Sequence, residues 1–299
     1  MYTGLLRILP PEVVKFNEPM KCHTTFQIGG LADIMILPQS IEQVVDTVKW
    51  CHLNGIPLFI FGLGSNLLVR EKGIRGVAVK IASGLNKVSA DGNEIYAEAG
   101  ISMADLSLIA ADNSLSGLEF AEGIPGSLGG AVVMNAGAYD GEMQDIVSEV
   151  ITIDTDGNQL SLSNEEMQFA YRRTILQNSS YIVIAVRLKL TPGDRETIKQ
   201  RMADFRQQRQ KKQPLEMPSA GSTFRRPPGF YVGPMLEQLG LKGFSIGGAQ
   251  VSEKHAGFIV NKGDATADDV FELITYIQAQ VREKFDVELQ TEILVVGEE

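Results

Sequence analysis

Two glycine-rich segments hold residue types that could bind an anionic, planar ligand. In "FIFGLGSNLLV" (residues 59–69), Gly62, Gly64, Ser65 and Asn66 directly follow an apolar run of strand type. Small residues there let main-chain N–H groups approach an anionic oxygen. The spacing is not a dinucleotide fingerprint, because no third glycine stands at the required offset, and no P-loop lysine follows. On its own the segment reads equally well as a tight turn. The segment "EGIPGSLGGAVVMNAGAYDGE" (122–142) is more specific, since glycines at 123, 126, 129, 130, 137 and 141 leave little room for regular structure. Gly126, Ser127, Gly129 and Gly130 offer main-chain and hydroxyl donors to a pyrophosphate, and Asn135, Ala136 and Gly137 could line a ring system. The competing reading is a glycine-rich Ω-loop. His23, His52, Cys22 and Cys51 lack companions at ligand spacing, so no metal site is expected.

The elements that must position these loops are legible from periodicity. Ser40 with Gln43, Ser163 with Glu166 and Thr266 with Asp269 resemble capping boxes. Helices are expected over 41–54, 102–112, 194–211 and 267–284, with a short one at 234–239. The third is strongly charged, and the last is amphipathic through Val270, Leu273, Ile274, Ile277 and Val281. Strand signals are "DIMILP", "LFIFG", "GVAVKI", "EIYAEAG", "EVITIDT", "YIVIAVRLKL", "GFIVN" and "LQTEILVV". Asp-Gly-Asn at 91–93 and at 156–158 reads as a hairpin turn in both places. Helices and antiparallel strands therefore intermix, without a repeating βαβ order. The charged helix, followed by "KKQPLEMPSAGS", reads as a hinge before a C-terminal part of 100 or so residues.

Composition narrows the function further. The chain has 299 residues, enough for two domains, and 44% hydrophobic with 21% charged residues is ordinary for a globular protein. Lys and Arg number 27 against 37 Asp and Glu, so the net charge of −10 argues against a broad surface for nucleic acid or anionic lipid. Two cysteines 29 positions apart form no disulfide framework and suit a reducing compartment. No signal-peptide core develops before Arg7, Pro10 and Pro11, and no apolar run approaches the ~20 residues of a spanning helix. A cytoplasmic protein is expected.

Six motifs then occur in order: "TTFQIGGLADIMILP" (24–38), "GLGSN" (62–66), "GLEFAEGIPGSLGGAVVMNAGAY" (117–139), "YRRT" (171–174), "PSAGSTFRRP" (218–227) and "LKGFSIGGAQVSEKHAGFIVN" (241–261). Together they closely resemble the UDP-N-acetylenolpyruvoylglucosamine reductase family, over residues 15 to 297. The resemblance implies an α+β protein with an FAD-binding fold of the vanillyl-alcohol-oxidase (PCMH) type in two subdomains, 1–80 and 81–195. A C-terminal α+β substrate domain, 196–299, would follow. It also implies non-covalent FAD, NADPH as reductant, a UDP-linked substrate, and a place in peptidoglycan precursor synthesis.

Hydride addition to the β-carbon of an enolpyruvyl group builds negative charge on the α-carbon and its carboxylate, so the reaction needs a cation and an acid. By the resemblance, Arg172 of "YRRT" is the cation, with Arg173 the alternative register. Ser222 is the proton donor to the α-carbon, with Ser219 a weaker alternative. Glu292 helps to organise that donor; alternation in "ELQTEILVV" places it on the face of Leu294 and Val296, hence inward. Lys212, or Lys211, matches a lysine near the substrate pyrophosphate, and Arg226 and His255 occupy substrate-side positions. Tyr139 and Tyr231 are sugar or uracil contacts or ordinary packing. His23 is either flavin-side or structural.

The 50-residue interval from Arg172 to Ser222 has no room for the tyrosine-bearing substrate loop of one branch, so the chain resembles the shorter, second type. A monomer is expected. The alternative is an FAD oxidase or dehydrogenase of the same fold with another hydroxy or sugar substrate; the joint presence of Lys212, Ser222, "GGAQVSEKHAGFIVN" and Glu292 argues against it. A nucleotide-binding protein that has lost its chemistry is disfavoured because acid, cation and carboxylate survive together.

Overall fold

A computed structural model describes residues 2–299. Its contacts divide the chain into two compact units. One holds the residues up to Phe16 with Ile34–Leu63 and Gly76–Gln208; the other holds Asn17–Asp33, Gly64–Arg75 and Arg209–Glu299.

In the first unit, α1 (Ile41–Leu53) begins where the Ser40 hydroxyl accepts from the Gln43 N–H and the Gln43 side chain returns to the N–H of Gln39. Val44, Val48 and Cys51 recur at helical spacing and are buried. α2 (Met103–Asp112) is capped by Ser102. The expected box at Ser163 and Glu166 does form, but it closes a turn rather than a helix, and the chain leaves it at Gln168 with φ 48°.

The unit's main sheet is antiparallel, in the order Gln159–Ser163, Val147–Ile153, Ile182–Lys189, Glu94–Glu98, Val88–Asp91. Both Asp-Gly-Asn hairpins are present. Gly92 (φ 57°) sits in a two-residue loop closed by Asp91 and Glu94. The other loop is longer: Asp154 accepts from the N–H groups of Asp156 and Asn158, and Gly157 adopts φ 74°. Val150, Ile151, Ile153, Val183, Ala185, Val186 and Leu188 enter one hydrophobic core with α1 and α2.

The glycine segment expected to lack regular structure contains a helix, α3 (Leu128–Val133). Its Leu128, Gly129, Ala131 and Val132 are buried, and a β-carbon at Gly129 would lie 3.0 Å from that of Ala99. Glycine serves close packing there rather than disorder. The charged α4 (Arg195–Lys212) is held in the first unit by ion pairs: Arg195 and Lys199 to Asp112, Arg201 to Glu119, and Arg206 to Glu122. The division between units falls inside this helix, after Gln208.

The second unit packs α5 (Val232–Gln238) and α6 (Ala267–Phe285) with the sheet Ser219–Ser222, Phe258–Asn261, Ala249–Val251, Ser245–Ile246. α6 starts from a complete capping box between Thr266 and Asp269 and ends at Asp286 in the left-handed region, φ 55°. All five of its expected apolar positions, Val270, Leu273, Ile274, Ile277 and Val281, are buried. The last strand is shorter than expected. Only Leu294–Val296 pairs, parallel to Leu67–Val69, and Glu292 precedes it. Its phase is also reversed, since Ile293 is buried and Leu294 is 52% exposed. Before the ladder begins, an isolated bridge between Phe224 and Thr291 sets the chain direction, and strand alternation does not govern Glu292.

Among the described residues no helix is long and apolar enough to cross a membrane. The two cysteines differ sharply: Cys22 is exposed, whereas burial pushes the Cys51 thiol up to about 12. A thiol reagent at pH 8 should therefore modify Cys22 alone in the native protein and both cysteines after denaturation; rapid native labelling of Cys51 would contradict this packing.

Candidate active site

In the first unit the strand Leu58–Phe61 delivers Gly62 against Ser127, the residue before α3. A β-carbon at Gly62 would lie 1.9 Å from the Ser127 hydroxyl oxygen, so only glycine fits. Gly130 is exposed beside them. Two of the expected pyrophosphate donors are engaged elsewhere: the N–H of Gly126 donates to Ile124 O and that of Gly129 to Ala99 O, both at 2.8 Å. This corrects the reading of Gly126 and Gly129 as main-chain donors; Gly129 instead allows close packing on Ala99.

Asn135 ties the glycine loop to the turn around Ala170. It is fully buried, with φ 42°. Its Nδ2 donates to Glu142 Oε2 (3.1 Å) and Ala170 O (3.2 Å), and its Oδ1 accepts from the Gln144 N–H (3.0 Å). The side chain expected to line a ring thus binds two stretches of main chain together. Beyond it, Tyr139 and Asp140 (φ 51° and 65°) turn a tight hairpin between Gly137–Ala138 and Gly141–Glu142. The Tyr139 ring stacks on Phe205 at 4.3 Å and its hydroxyl donates to Phe205 O, as the packing reading expects.

The Ala170 carbonyl held by Asn135 belongs to the turn that carries Arg172. Ala170 and Arg173 exchange main-chain bonds, and Arg172 takes φ 53°, a left-handed conformation that costs a residue with a β-carbon about 1 kcal/mol. Its guanidinium donates to the carbonyls of Asn135 (3.4 Å) and Gly137 (3.2 Å) and lies over the Tyr171 ring. Arg173 points into a different cleft with Gln168, Thr174, Ile175 and Asn178. Of the two arginines, it is Arg172 that meets the glycine loop.

The second unit assembles the other expected residues. The strand Ser219–Ser222 carries a bulge, three steps from Ser219 to Ser222 opposing two from Val260 to Phe258, with Gly221 at φ 77°. Ala220 and Thr223 are each 2% exposed, while Ser222 is turned out to the surface. A bulge re-aims a side chain in this way. Thr223 O accepts from the Glu292 N–H at 2.8 Å, which brings Ser222 and Glu292 onto adjacent stretches of backbone. Asn66 Nδ2 donates to Glu292 O at 3.1 Å, so the "GLGSN" loop meets the same point. Ser219 contributes its carbonyl, which accepts from the Thr25 hydroxyl (2.7 Å), while the Thr25 N–H donates to Gly64 O (3.3 Å). Gly64 (φ 70°) has no room for a β-carbon, which would lie 2.3 Å from His23 O. Sequence reasoning misses Thr25 and Thr223, because their partners lie far along the chain and no local spacing announces them. The ring of His23 pairs with Glu18 at 2.9 Å.

The remaining candidate cations come from other elements of the chain, and His255 is linked to this cluster through Gly257, whose carbonyl accepts from the Thr223 N–H. Lys211 and Lys212 are in the last turn of α4, where positive charge complements the helix dipole. Arg226 donates to Phe230 O and lies 3.8 Å from the centroid of the exposed Tyr231 ring. His255 accepts from the Gly257 N–H at Nδ1, so the neutral ring keeps its proton on Nε2. Burial lowers its pKa, against the opposing pull of Glu237 and with the help of Lys242. His255 is therefore a neutral donor at pH 7 rather than a counter-charge.

With this geometry in place, comparison with known proteins is informative. Residues 213–296 match the model of the UDP-N-acetylenolpyruvoylglucosamine reductase C-terminal domain, and residues 32–163 match that of an FAD binding domain. The chain is 57% identical over its full length to the UDP-N-acetylenolpyruvoylglucosamine reductase of Syntrophomonas wolfei, covering 100% of both. It is 53% identical to that of Caldanaerobacter subterraneus, covering 98% and 97%. The crystal structure of the Thermus caldophilus reductase superposes with a TM-score of 0.81 at 35% identity, covering 94% of this chain and 97% of the other. Wild-type Phl p 4.0202, a glucose dehydrogenase, shares the fold alone, with a TM-score of 0.50 at 15% identity over 64% of this chain and 44% of the other.

Asn135→Ala should lower the unfolding free energy by about 2–4 kcal/mol, because two main-chain partners and a carboxylate lose their bonds in a buried setting. Urea denaturation checks this, and a loss below about 1 kcal/mol would mean that those groups re-pair. His255 has a depressed folded pKa, so its contribution is complete above its unfolded value of about 6.5 and declines as pH falls through the folded value. Between pH 7 and 5 the wild type should therefore lose more stability than His255→Asn, which keeps an acceptor for Gly257; equal pH slopes would contradict it.

Proposed function

The chain belongs to the UDP-N-acetylenolpyruvoylglucosamine reductase family, and on that premise we propose how its own residues divide the work of reducing the enolpyruvyl group. Its fold is the FAD-binding α+β type expected from sequence, with the C-terminal domain of the family. It reduces UDP-N-acetylenolpyruvoylglucosamine to UDP-N-acetylmuramate with NADPH and FAD, in peptidoglycan precursor synthesis.

The residues present fit a flavin nucleotide. In the first unit Ser127 and the exposed Gly130 offer a pyrophosphate a hydroxyl and a residue without a side chain, and in the second Ser65 offers a hydroxyl next to Gly64. In the first unit Gly62, Ser127, Gly130, Ala136 and Gly137 would hold it without a covalent bond, on a loop kept in shape by the buried Asn135, and in the second unit Gly64 and Ser65 would do so. When bound, FAD supplies the hydride carrier between NADPH and the enolpyruvyl β-carbon.

Arg172 binds the substrate carboxylate and offsets the negative charge that develops on it, a task for a cation that never titrates. Ser222 gives its proton to the α-carbon. A hydroxyl is a weak acid, so its transfer depends on a strongly basic acceptor and on a neighbour that orients it. Glu292 is that neighbour. Lys212 and Arg226 attend the pyrophosphate, and His255 donates through Nε2 to a neutral oxygen. By function, 1–80 and 81–195 attend the flavin and 196–299 the UDP-linked substrate. The protein acts as a monomer in the cytoplasm, without nucleic acid.

The observation that supports this reading best is the bulge at Gly221, which exposes Ser222 beside the main chain of Glu292. Ser222→Ala should leave bleaching of the flavin by anaerobic NADPH nearly intact and slow its return on adding UDP-N-acetylenolpyruvoylglucosamine by at least about a hundredfold. Equal slowing of both phases would remove Ser222 as the donor. A wild-type flavin that ignores the substrate would point to an oxidase or dehydrogenase with another substrate.

A further inference from the structure

Glu292 is held by both of its peptide groups. Its N–H donates to Thr223 O (2.8 Å), next to Ser222, and its carbonyl accepts from Asn66 Nδ2 (3.1 Å). The Asn66 carbonyl in turn accepts from the Leu294 N–H (2.8 Å), and from there Leu67–Val69 pairs in parallel with Leu294–Val296. Asn66 therefore grips the chain on both sides of Ile293, itself buried at 5%.

Two fixed peptide groups set the direction of the Cα–Cβ bond between them, and a carboxylate that must orient a hydroxyl depends on that direction. The Thr223 bond is made by main chain and survives substitution. The Asn66 bond is made by a side chain and depends on residue type. Aspartate at this position would set a carboxylate against a carbonyl oxygen, and alanine would leave that oxygen without this donor. The loop end is itself anchored, because Thr25 N–H donates to Gly64 O and the Thr25 hydroxyl donates to Ser219 O, three residues before Ser222.

We infer that Asn66 is a positioning residue for proton delivery: its side-chain amide fixes the main chain of Glu292 beside Ser222 and is spent on that bond rather than on the flavin. The inference rests on the function proposed above. Asn66 acts through Glu292, so its effect belongs to the phase in which substrate is protonated.

The test uses flavin-loaded enzyme and anaerobic stopped flow, following flavin bleaching by NADPH and its return with UDP-N-acetylenolpyruvoylglucosamine. The proteins are wild type, Asn66→Ala, Asn66→Asp, Glu292→Gln and the Asn66→Ala/Glu292→Gln pair. Asn66→Ala and Asn66→Asp should slow the second phase at least about tenfold more than the first. In the Glu292→Gln background, Asn66→Ala should slow the second phase by less than about threefold further, since a residue acting through another adds little once that one is removed. Equal slowing of both phases, or the same slowing with and without the Glu292 carboxylate, would overturn the inference. So would loss of flavin from both Asn66 variants, which would assign the residue to the cofactor. A wild type whose flavin is bleached but not restored by this substrate would instead bring down the functional reading itself.

Discussion

A buried peptide group must find a partner, and the irregular loops of this chain pair only in part within themselves. The chain meets that constraint with a few short polar side chains. Asn135 binds Glu142, Gln144 and Ala170, and so closes the glycine loop and the arginine turn in one step. Asn66, Thr25 and Thr223 do the same in the second unit. The Thr223 hydroxyl accepts from the Ile259 N–H, which keeps the bulged strand against its neighbour while Ser222 faces outward.

Charge is organised on the same principle. Glu119 and Glu122 are buried at 5% and 4%, and each is satisfied by more than one donor. Ser116 and the Gly117 N–H serve Glu119, with Arg201 near; Arg206 and Ser107 serve Glu122. Removing one arginine would leave a carboxylate in a poorly solvated place, which is far costlier than losing an exposed pair. The amphipathic weakness of α4, a helix with few apolar residues, is thereby offset by ion pairs along one side.

Arg172 shows how strain and hydrogen bonding cooperate. The left-handed backbone would relax if the turn were free, but Ala170 is held by Asn135 and the Arg172 carbonyl accepts from Gln177. The guanidinium is thus presented from a fixed base.

Much of this was determined by the sequence alone. The spacing of apolar residues set α1, α2 and α6 to within a residue or two, with caps read at Ser40 and Thr266 for the first and last, because those signals act between neighbours three or four apart. The order of six motifs was sufficient to identify the family. Tertiary structure decided what local pattern cannot carry: that Arg172 rather than Arg173 meets the glycine loop, that Tyr139 stacks on Phe205, and that Glu292 stands outside the last strand with Ile293, not Leu294, buried. It also decided that Asn66 holds Glu292, 226 positions away. The physical reason is the same in each case. A bulge, a left-handed turn or a side-chain bond to distant main chain is selected by the partner it meets in space, and that partner has no fixed offset in the sequence.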